Sequence, residues 1–541
     1  MPLSEPKIDV VTELPPVATA SAPAASDTDV YAVHGADPEV LAYAMAKYSR
    51  SALSMRESLK EISSQRAEQF LNTFYFQYGH RSIADLAHLS FAIEKLSLLA
   101  AIELVDEQRW DGQERSTRYQ NFKKSGWFTP GFDGDGARRA EYTAQIEALF
   151  AAYERISQGA FEHLKSRIAR PEAMKEDAFD RTLKARAFDV ARYLLPLAAN
   201  TSLGQIVNAR TLETQVSRLL SSEFAEVRLL GEKLRQAAAG AAWQVHGDAL
   251  KALADKIKHA APELADEAIA LLEREVHVSP TLVKYAAPNV YEIESHKALA
   301  HAAQEWMAGA AIASAPVVDL VEPDAGADAL EIDLATSLLY PHCHYSFRQL
   351  RDRMRELSAA QRGEIIALGV AHRGRHDELA RAFSAGQALR FDILMDIGGF
   401  RDMHRHRKCI QLRQGYTTAH GFDLPEYVEE SGMRAEYDRA MQTACNAAHK
   451  LGHNSELTGG ELDIDPAAQY LLPLGVRCRA MFKMDFAEAV YIADLRSQPQ
   501  GHFSYRRVAW EMYRAVARQY PALRGLFHTT DIAEPVDPLK R

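Results

Sequence analysis

Cysteine is scarce in this chain of 541 residues: Cys343, Cys409, Cys445 and Cys478 are the only four, all in the second half and without C-x-x-C spacing. That excludes a disulfide framework and suits reduced thiols in a cytoplasmic setting. His342-Cys343-His344 offers metal-ligating side chains, but three adjacent residues cannot all converge on one ion, and no metal is expected. No uninterrupted span of ~20 apolar residues occurs, so no membrane is called for. Basic residues are outnumbered, 63 against 73 acidic, and the net charge of −10 argues against a general nucleic-acid binder, which needs a broad basic surface. Residues 1–28 lack apolar periodicity, a basic start and the apolar core of a signal peptide. They read as a disordered tail.

What remains is ordinary globular composition, 47% hydrophobic, 25% charged and 9% aromatic, in a chain too long for one core. The chain also repeats itself. Val30-Tyr31-Ala32-Val33 runs into a Gly-Ala-Asp-Pro turn, as Val317–Val321 runs into Glu322-Pro323-Asp324. Arg139-Ala140-Glu141-Tyr142 returns as Arg434-Ala435-Glu436-Tyr437, and Tyr193-Leu194-Leu195-Pro196-Leu197 as Tyr470-Leu471-Leu472-Pro473-Leu474. Collinear matches of this kind indicate a diverged tandem duplication. Residues 29–240 form the first copy and 317–541 the second, joined by an Ala-rich helical connector over 241–316.

Leu89, Phe91 and Ile93 alternate with Ser90, Ala92 and Glu94, which predicts a half-buried strand. Leu389, Phe391, Ile393, Met395 and Ile397 alternate with Arg390, Asp392 and Asp396 in the equivalent place. Tyr142, Ile146, Leu149, Phe150, Tyr153 and Ile156 fall at helical spacing and predict an amphipathic helix. The fold class is therefore α+β.

The second strand gives way, after Gly398 and Gly399, to Phe400-Arg401-Asp402-Met403-His404-Arg405-His406-Arg407, with three arginines and two histidines in eight residues. Such density is costly to bury unless an anion is bound. A solvated basic helix face is the bland reading.

The first copy carries Tyr78-Gly79-His80-Arg81-Ser82, then Phe91-Ala92-Ile93-Glu94-Lys95-Leu96-Ser97, then Glu114-Arg115-Ser116-Thr117-Arg118-Tyr119. With Asn208-Ala209-Arg210 and Glu226-Val227-Arg228 following, the chain resembles the flavin-dependent thymidylate synthases. That family has a Gly-His-x-Ser segment, a Phe-x-Ile-Glu-x-x-Ser strand, Arg-His-Arg-x7-Ser-x-Arg-Tyr, Asn-x-Arg and Glu-Ile-Arg. Here the first copy reads Asp106-Glu107-Gln108 where the Arg-His-Arg triplet belongs. The second supplies Arg405-His406-Arg407, after His376 in the place of His80, but has Gly415 and Thr417 for the serine and arginine, and Asp485 and Ala487 for Asn-x-Arg. Arg506 stands near the position of Arg228.

The resemblance implies two tandem thymidylate synthase-like domains, each a mixed sheet packed with long helices, sharing a composite site. It implies methylation of dUMP to dTMP, with FAD as cofactor and NADPH and methylenetetrahydrofolate as co-substrates. Arg405, His406 and Arg407 would hold flavin and polarise the nucleotide, and Ser116 and Arg118 would grip its phosphate, for which the guanidinium fork is suited. Glu114 and Arg228 join them as substrate-binding candidates; Asn208, Arg210 and His80 are cofactor-binding candidates. Structural readings stand beside these: Ser116 and Arg118 could cap and pair on a helix surface, Arg228 and Arg506 could be helix-face salt bridges, Glu94 a structural partner for a nearby base and His80 a buried, hydrogen-bonded histidine, while Asn208 and Arg210 are individually uninformative. A homodimer imitating the family tetramer is expected. The alternatives are a non-catalytic flavin- or nucleotide-binding paralogue, an assembly scaffold, or a flavoenzyme acting on another pyrimidine.

Overall fold

The computed structural model describes residues 33, 35–47, 54–61, 81–107, 109–284, 286–324, 328–374, 377, 380–384, 389–406, 408–452, 464–484, 486–499, 501–519, 524, 527–537 and 539. The tail over 1–28, the strand proposed at Val30, His80, Gln108, His376, Arg407 and Asp485 lie outside them. Met1–Ala36 form a separate small unit, and Asp37–Arg541 a second that contains both copies.

The larger unit begins with helices α1 (Pro38–Lys47) and α2 (Met55–Glu61). Strand β1 (His88–Ser97) then leads into helix α3 (Leu98–Leu104), strand β2 (Asp111–Glu114), the long helix α4 (Gly136–Arg167) and helix α5 (Glu176–Ala191). Strand β3 (Asn200–Asn208) and helices α6 (Ala209–Leu220) and α7 (Ala225–Ala239) close the first copy. The connector holds α8 (Gly247–Ala260), α9 (Ala265–Leu272) and α10 (Val290–Trp306).

In the second copy, β4 (Val318–Val321), α11 (Ala329–Leu339), α12 (Phe347–Glu356) and α13 (Ala359–Leu368) precede β5 (Leu389–Asp396), α14 (Ile397–Met403), β6 (Ile410–Arg413) and α15 (Arg434–Gly452). Strand β7 (Arg477–Met484) and helices α16 (Phe486–Arg496) and α17 (Phe503–Gln519) complete it. The architecture is α+β twice over. One sheet runs β1-β3-β2 and the other β4-β5-β7-β6, every pair antiparallel.

The predicted alternation in β1 holds: Leu89 is buried while Ser90, Ala92 and Glu94 are exposed. In β5 the polar partners do not face water. Arg390, Asp392 and Asp396 are at most 1% exposed, each held by buried partners. Arg390 is held by Asp333 at 2.9 and 2.5 Å. Asp392 accepts from Tyr340 Oη at 2.5 Å, Phe347 N at 2.6 Å and Arg479 Nη1 at 3.0 Å. A buried carboxylate with that many donors is satisfied.

Strands β1 and β5 end the same way. Ser97 caps α3 by accepting from Ala100 N at 2.9 Å, and Asp396 caps α14 by accepting from Gly399 N at 2.7 Å. The repeated Tyr-Leu-Leu-Pro-Leu segments are where the copies meet. Leu197 N donates to Leu472 O at 2.8 Å and Leu474 N to Leu195 O at 2.7 Å, while Ala198 N donates to Tyr470 O and Gly475 N to Tyr193 O, both at 3.0 Å. Each bond maps onto another when the copies are exchanged, which defines an approximate twofold axis between Pro196 and Pro473. Around it α4 packs on α15, with all six apolar positions that mark its helical stripe buried. One continuous apolar cluster runs through both copies.

Candidate functional site

The twofold places the Arg405-His406 segment, which follows α14, opposite Asp106-Glu107, which follows α3. On the second-copy side, burial of so many cations is resolved by acids from both copies. Arg401, 8% exposed, donates through Nε to Glu114 Oε2 at 2.7 Å and through Nη2 to Arg115 O at 3.1 Å. Glu114 thereby becomes a cross-copy partner, with its other oxygen, Oε1, buried and unpartnered among the described residues.

Asp402 is the centre of the cluster. Arg192, on the turn after α5, donates to Asp402 Oδ2 at 3.3 and 3.2 Å, and Arg405 Nη2 to Asp402 Oδ1 at 3.0 Å. Burial works against its charge, but Arg192, Arg405, Arg118 and Arg496 hold the carboxyl well below the usual range. Arg118 reaches this cluster from the first copy: its Nε donates to Asp189 Oδ1 at 3.1 Å and its Nη1 to Tyr505 Oη at 2.9 Å. Ser116 Oγ accepts from Arg118 N at 3.2 Å, a local turn that sets the arginine's direction.

The guanidinium of Arg496 lies 5.4 Å from the centre of the Tyr505 ring and that of Arg118 5.7 Å from it. Arg496 Nε in turn donates to His406 Nε2 at 2.8 Å, leaving His406 Nδ1 toward Glu488 at 3.7 Å. Burial, with Arg496 and Arg405 nearby, pulls the His406 imidazole below its ordinary range against the opposing pull of Glu488. A neutral imidazole accepting at Nε2 results. The fold therefore brings Ser116, Arg118, Arg405 and His406 to one place, although nearly three hundred residues separate the two segments. Arg192 Nε, Arg405 Nε and Arg506 Nη2 are buried without a hydrogen-bond partner among the described residues.

The other candidates lie elsewhere. Asn208 caps α6, accepting from Thr211 N at 2.8 Å. Arg228 is exposed and donates to the main-chain carbonyls of Ser222 and Glu223. Arg210 faces Asp85 at 3.5 Å on the wall of a cavity of about 1110 Å3 lined by both copies and the connector. There Asp106 pairs with Arg381 at 2.5 Å and Glu107 with Arg218 at 2.9 Å, so the two acids draw arginines of their own. Burial opposes the charge on Asp106, yet Arg381, His404 and Arg218 hold it well below the usual range. Sequence reasoning did not single out Arg192, Arg496 or Tyr505. Arg192 adjoins the repeated Tyr193 motif, but nothing in its spacing marked it.

Two α+β copies with strand-capped helices and a shared cationic cluster define a duplicated, self-paired member of a single-domain class. The chain belongs to the family described as thymidylate synthase complementing protein, whose model matches residues 32–242 and again 377–522. A UPF0159 protein of Chlamydia pneumoniae is 26% identical over 543 residues, covering 94% of this chain and 92% of its own. Another, from Thermoplasma acidophilum, is 25% identical and covers 91% and 95%. A flavin-dependent thymidylate synthase of Clostridium tetani is 27% identical over 177 residues, 32% of this chain and 67% of its own. A solved flavin-dependent thymidylate synthase from Helicobacter pylori, complexed with FAD and dUMP, is 17% identical, covers 37% of this chain and 89% of its own, and superposes with a TM-score of 0.23. No helix among the described residues is long and apolar enough to cross a membrane.

Proposed function

We propose that this chain converts dUMP to dTMP as a flavin-dependent enzyme, using FAD with NADPH and methylenetetrahydrofolate, at one composite site shared by its two copies. The observation that supports this most is the meeting of Arg118 with Arg405 and His406 around Asp402. Each copy supplies what the other lacks. The buried, unpartnered N–H groups of Arg192, Arg405 and Arg506 suit an anionic ligand, since leaving them unpaired costs about 1–3 kcal/mol each.

In this reading Arg405 and His406, with Arg407, hold the flavin, and Ser116 and Arg118 take the nucleotide phosphate. When bound, the flavin supplies the hydride relay. The protein orients the nucleotide, and cationic N–H groups beside the pyrimidine carbonyls stabilise the charge that grows there on hydride attack. Asn208 and Arg228 are committed to main-chain groups, so the reading rests on Ser116, Arg118, Arg405, His406 and Arg407. It also takes two chains to pair as a cytoplasmic homodimer.

One observation favours a non-catalytic binder instead: Arg118 and Arg405 are each already ion-paired, to Asp189 and Asp402. The visible spectrum of the purified chain separates the readings. A yellow protein whose flavin bands shift on adding dUMP, and which rescues a thymidine-requiring strain, is expected. Arg118→Lys should abolish the dUMP shift and Arg405→Lys should weaken FAD binding. A colourless protein that takes up no FAD overturns the enzyme; a yellow one that does not rescue, despite good expression, points to the binder or to another pyrimidine.

A further inference from the structure

The cavity of about 1110 Å3 is lined by both copies and the connector, and it includes Asp106 and Glu107, where the triplet has become acidic. Its cations are already used. Arg381 donates to Asp106, Arg218 to Glu107 and Arg413 to Glu103, at 2.5 to 3.0 Å, and Arg109 and Arg210 face Asp85. With Glu103, Asp106, Glu107 and Glu292 also on its wall, the cavity offers a phosphate like-charge repulsion as well as cations that are already paired.

The groups without a partner are of another kind, and the connector contributes two of them. Helix α10 turns Glu292, Ser295, His296 and Leu299 toward the cavity, one face at helical spacing. The Glu292 carboxyl makes no side-chain hydrogen bond or ion pair with a described residue. Ser295 Oγ, His342 Nδ1 and His404 Nε2 are buried with no hydrogen-bond partner among the described residues. His404 is 9% exposed; its Nδ1 is held by Gln411 Oε1 at 2.8 Å, and its Nε2 faces Asp106 Oδ1 at 4.0 Å. Glu292 is exposed at the residue level, and the partial desolvation of its carboxyl beside the cavity lifts it above its usual range, against Arg218 and Arg381. Ile102, Leu338 and Phe400 supply apolar wall.

We propose that this cavity is a second ligand site, taking a phosphate-free amino-heterocycle of the nucleobase or nucleoside class, read by connector helix α10. A carboxylate matches the paired N–H donors of an amino-heterocycle's ring edge, the imidazoles and Ser295 take its remaining polar atoms, and the apolar wall takes its face. The duplicated half-site has thus exchanged anion recognition for donor recognition. The proposal is independent of the composite site, and a chain that binds no flavin can still bind here.

Calorimetry on the full chain with adenosine, guanosine and cytidine tests it. At least one nucleoside should bind once per chain, and its 5′-monophosphate should compete about tenfold less well. Glu292→Gln should weaken binding about tenfold, the loss of one charge-assisted hydrogen bond, and Ser295→Ala by less, with FAD titration unchanged in both. Failure of all three nucleosides to bind overturns the proposal. So does equal competition by the monophosphate, or wild-type affinity in both variants.

Discussion

Ser504 donates its hydroxyl to the carboxylate of Asp396, and at the matching point of the first copy Ser97 donates to Glu226, with acid and alcohol exchanged. Each bond ties the end of a strand, β1 or β5, to the second helix after the last strand of its copy, α7 or α17. The junction keeps its hydrogen bond while the residues that make it trade places. Burial lifts the carboxyl of both junctions above its usual range.

Burial, reinforced by Asp423, lifts the Asp396 carboxyl to about 6 against the pull of Arg192, Ser504 and the Gly399 amide. The folded chain therefore holds this proton more tightly than the unfolded one. Its contribution to stability is greatest below about pH 4 and is lost as pH rises to about 6. Asp396→Asn keeps an oxygen for the Gly399 amide and should remove that slope. Urea midpoints taken between about pH 4 and about pH 7 decide it; an equal slope in the variant excludes Asp396 as its source.

Arg192 and Asp402 are 1% and 8% exposed, and the Arg405–Asp402 pair includes a side chain that is 35% exposed. Asp402→Ala should cost about 3–5 kcal/mol by stranding Arg192, whereas Arg405→Ala should cost under about 1 kcal/mol. Chemical unfolding of both variants measures the contrast. Comparable losses would mean that Arg405 is a structural anchor and not a residue held ready for a ligand.

A Cβ at Gly475 would sit 2.8 Å from Tyr437 Oη and 3.0 Å from Tyr193 Cβ, beside the bond that Gly475 N makes across the twofold. Gly475→Ala should destabilise by about 1–3 kcal/mol through overpacking. Because the two copies share one apolar cluster, a single cooperative transition at lower urea is expected. Two resolved transitions would show that the copies unfold separately.

Much of this molecule was legible in its residues. The collinear repeats marked the duplication because each copy keeps its own strand and helix periods, and the stripe from Tyr142 to Ile156 is the buried face of α4. Period alone could not tell that Arg390 and Asp392 are buried, since a strand covered on both faces can pair its charges inside. Chain order also kept Ser116 and Arg118 far from Arg405 and His406, and residue spacing says nothing about contacts across a twofold.

The sequence by itself determined the two copies, their α+β class and the complementary losses in their motifs, because these are local patterns written along one chain. Tertiary structure decided which lost half meets which surviving half. It did so through the Tyr-Leu-Leu-Pro-Leu segments, whose main-chain bonds set the axis. It also decided that Arg401 would be neutralised by Glu114, that Arg118 would reach the surroundings of Asp402, and that Asp106 and Glu107 would gather arginines around a cavity. Charge pairing and burial act through space, over distances that the order of residues does not record.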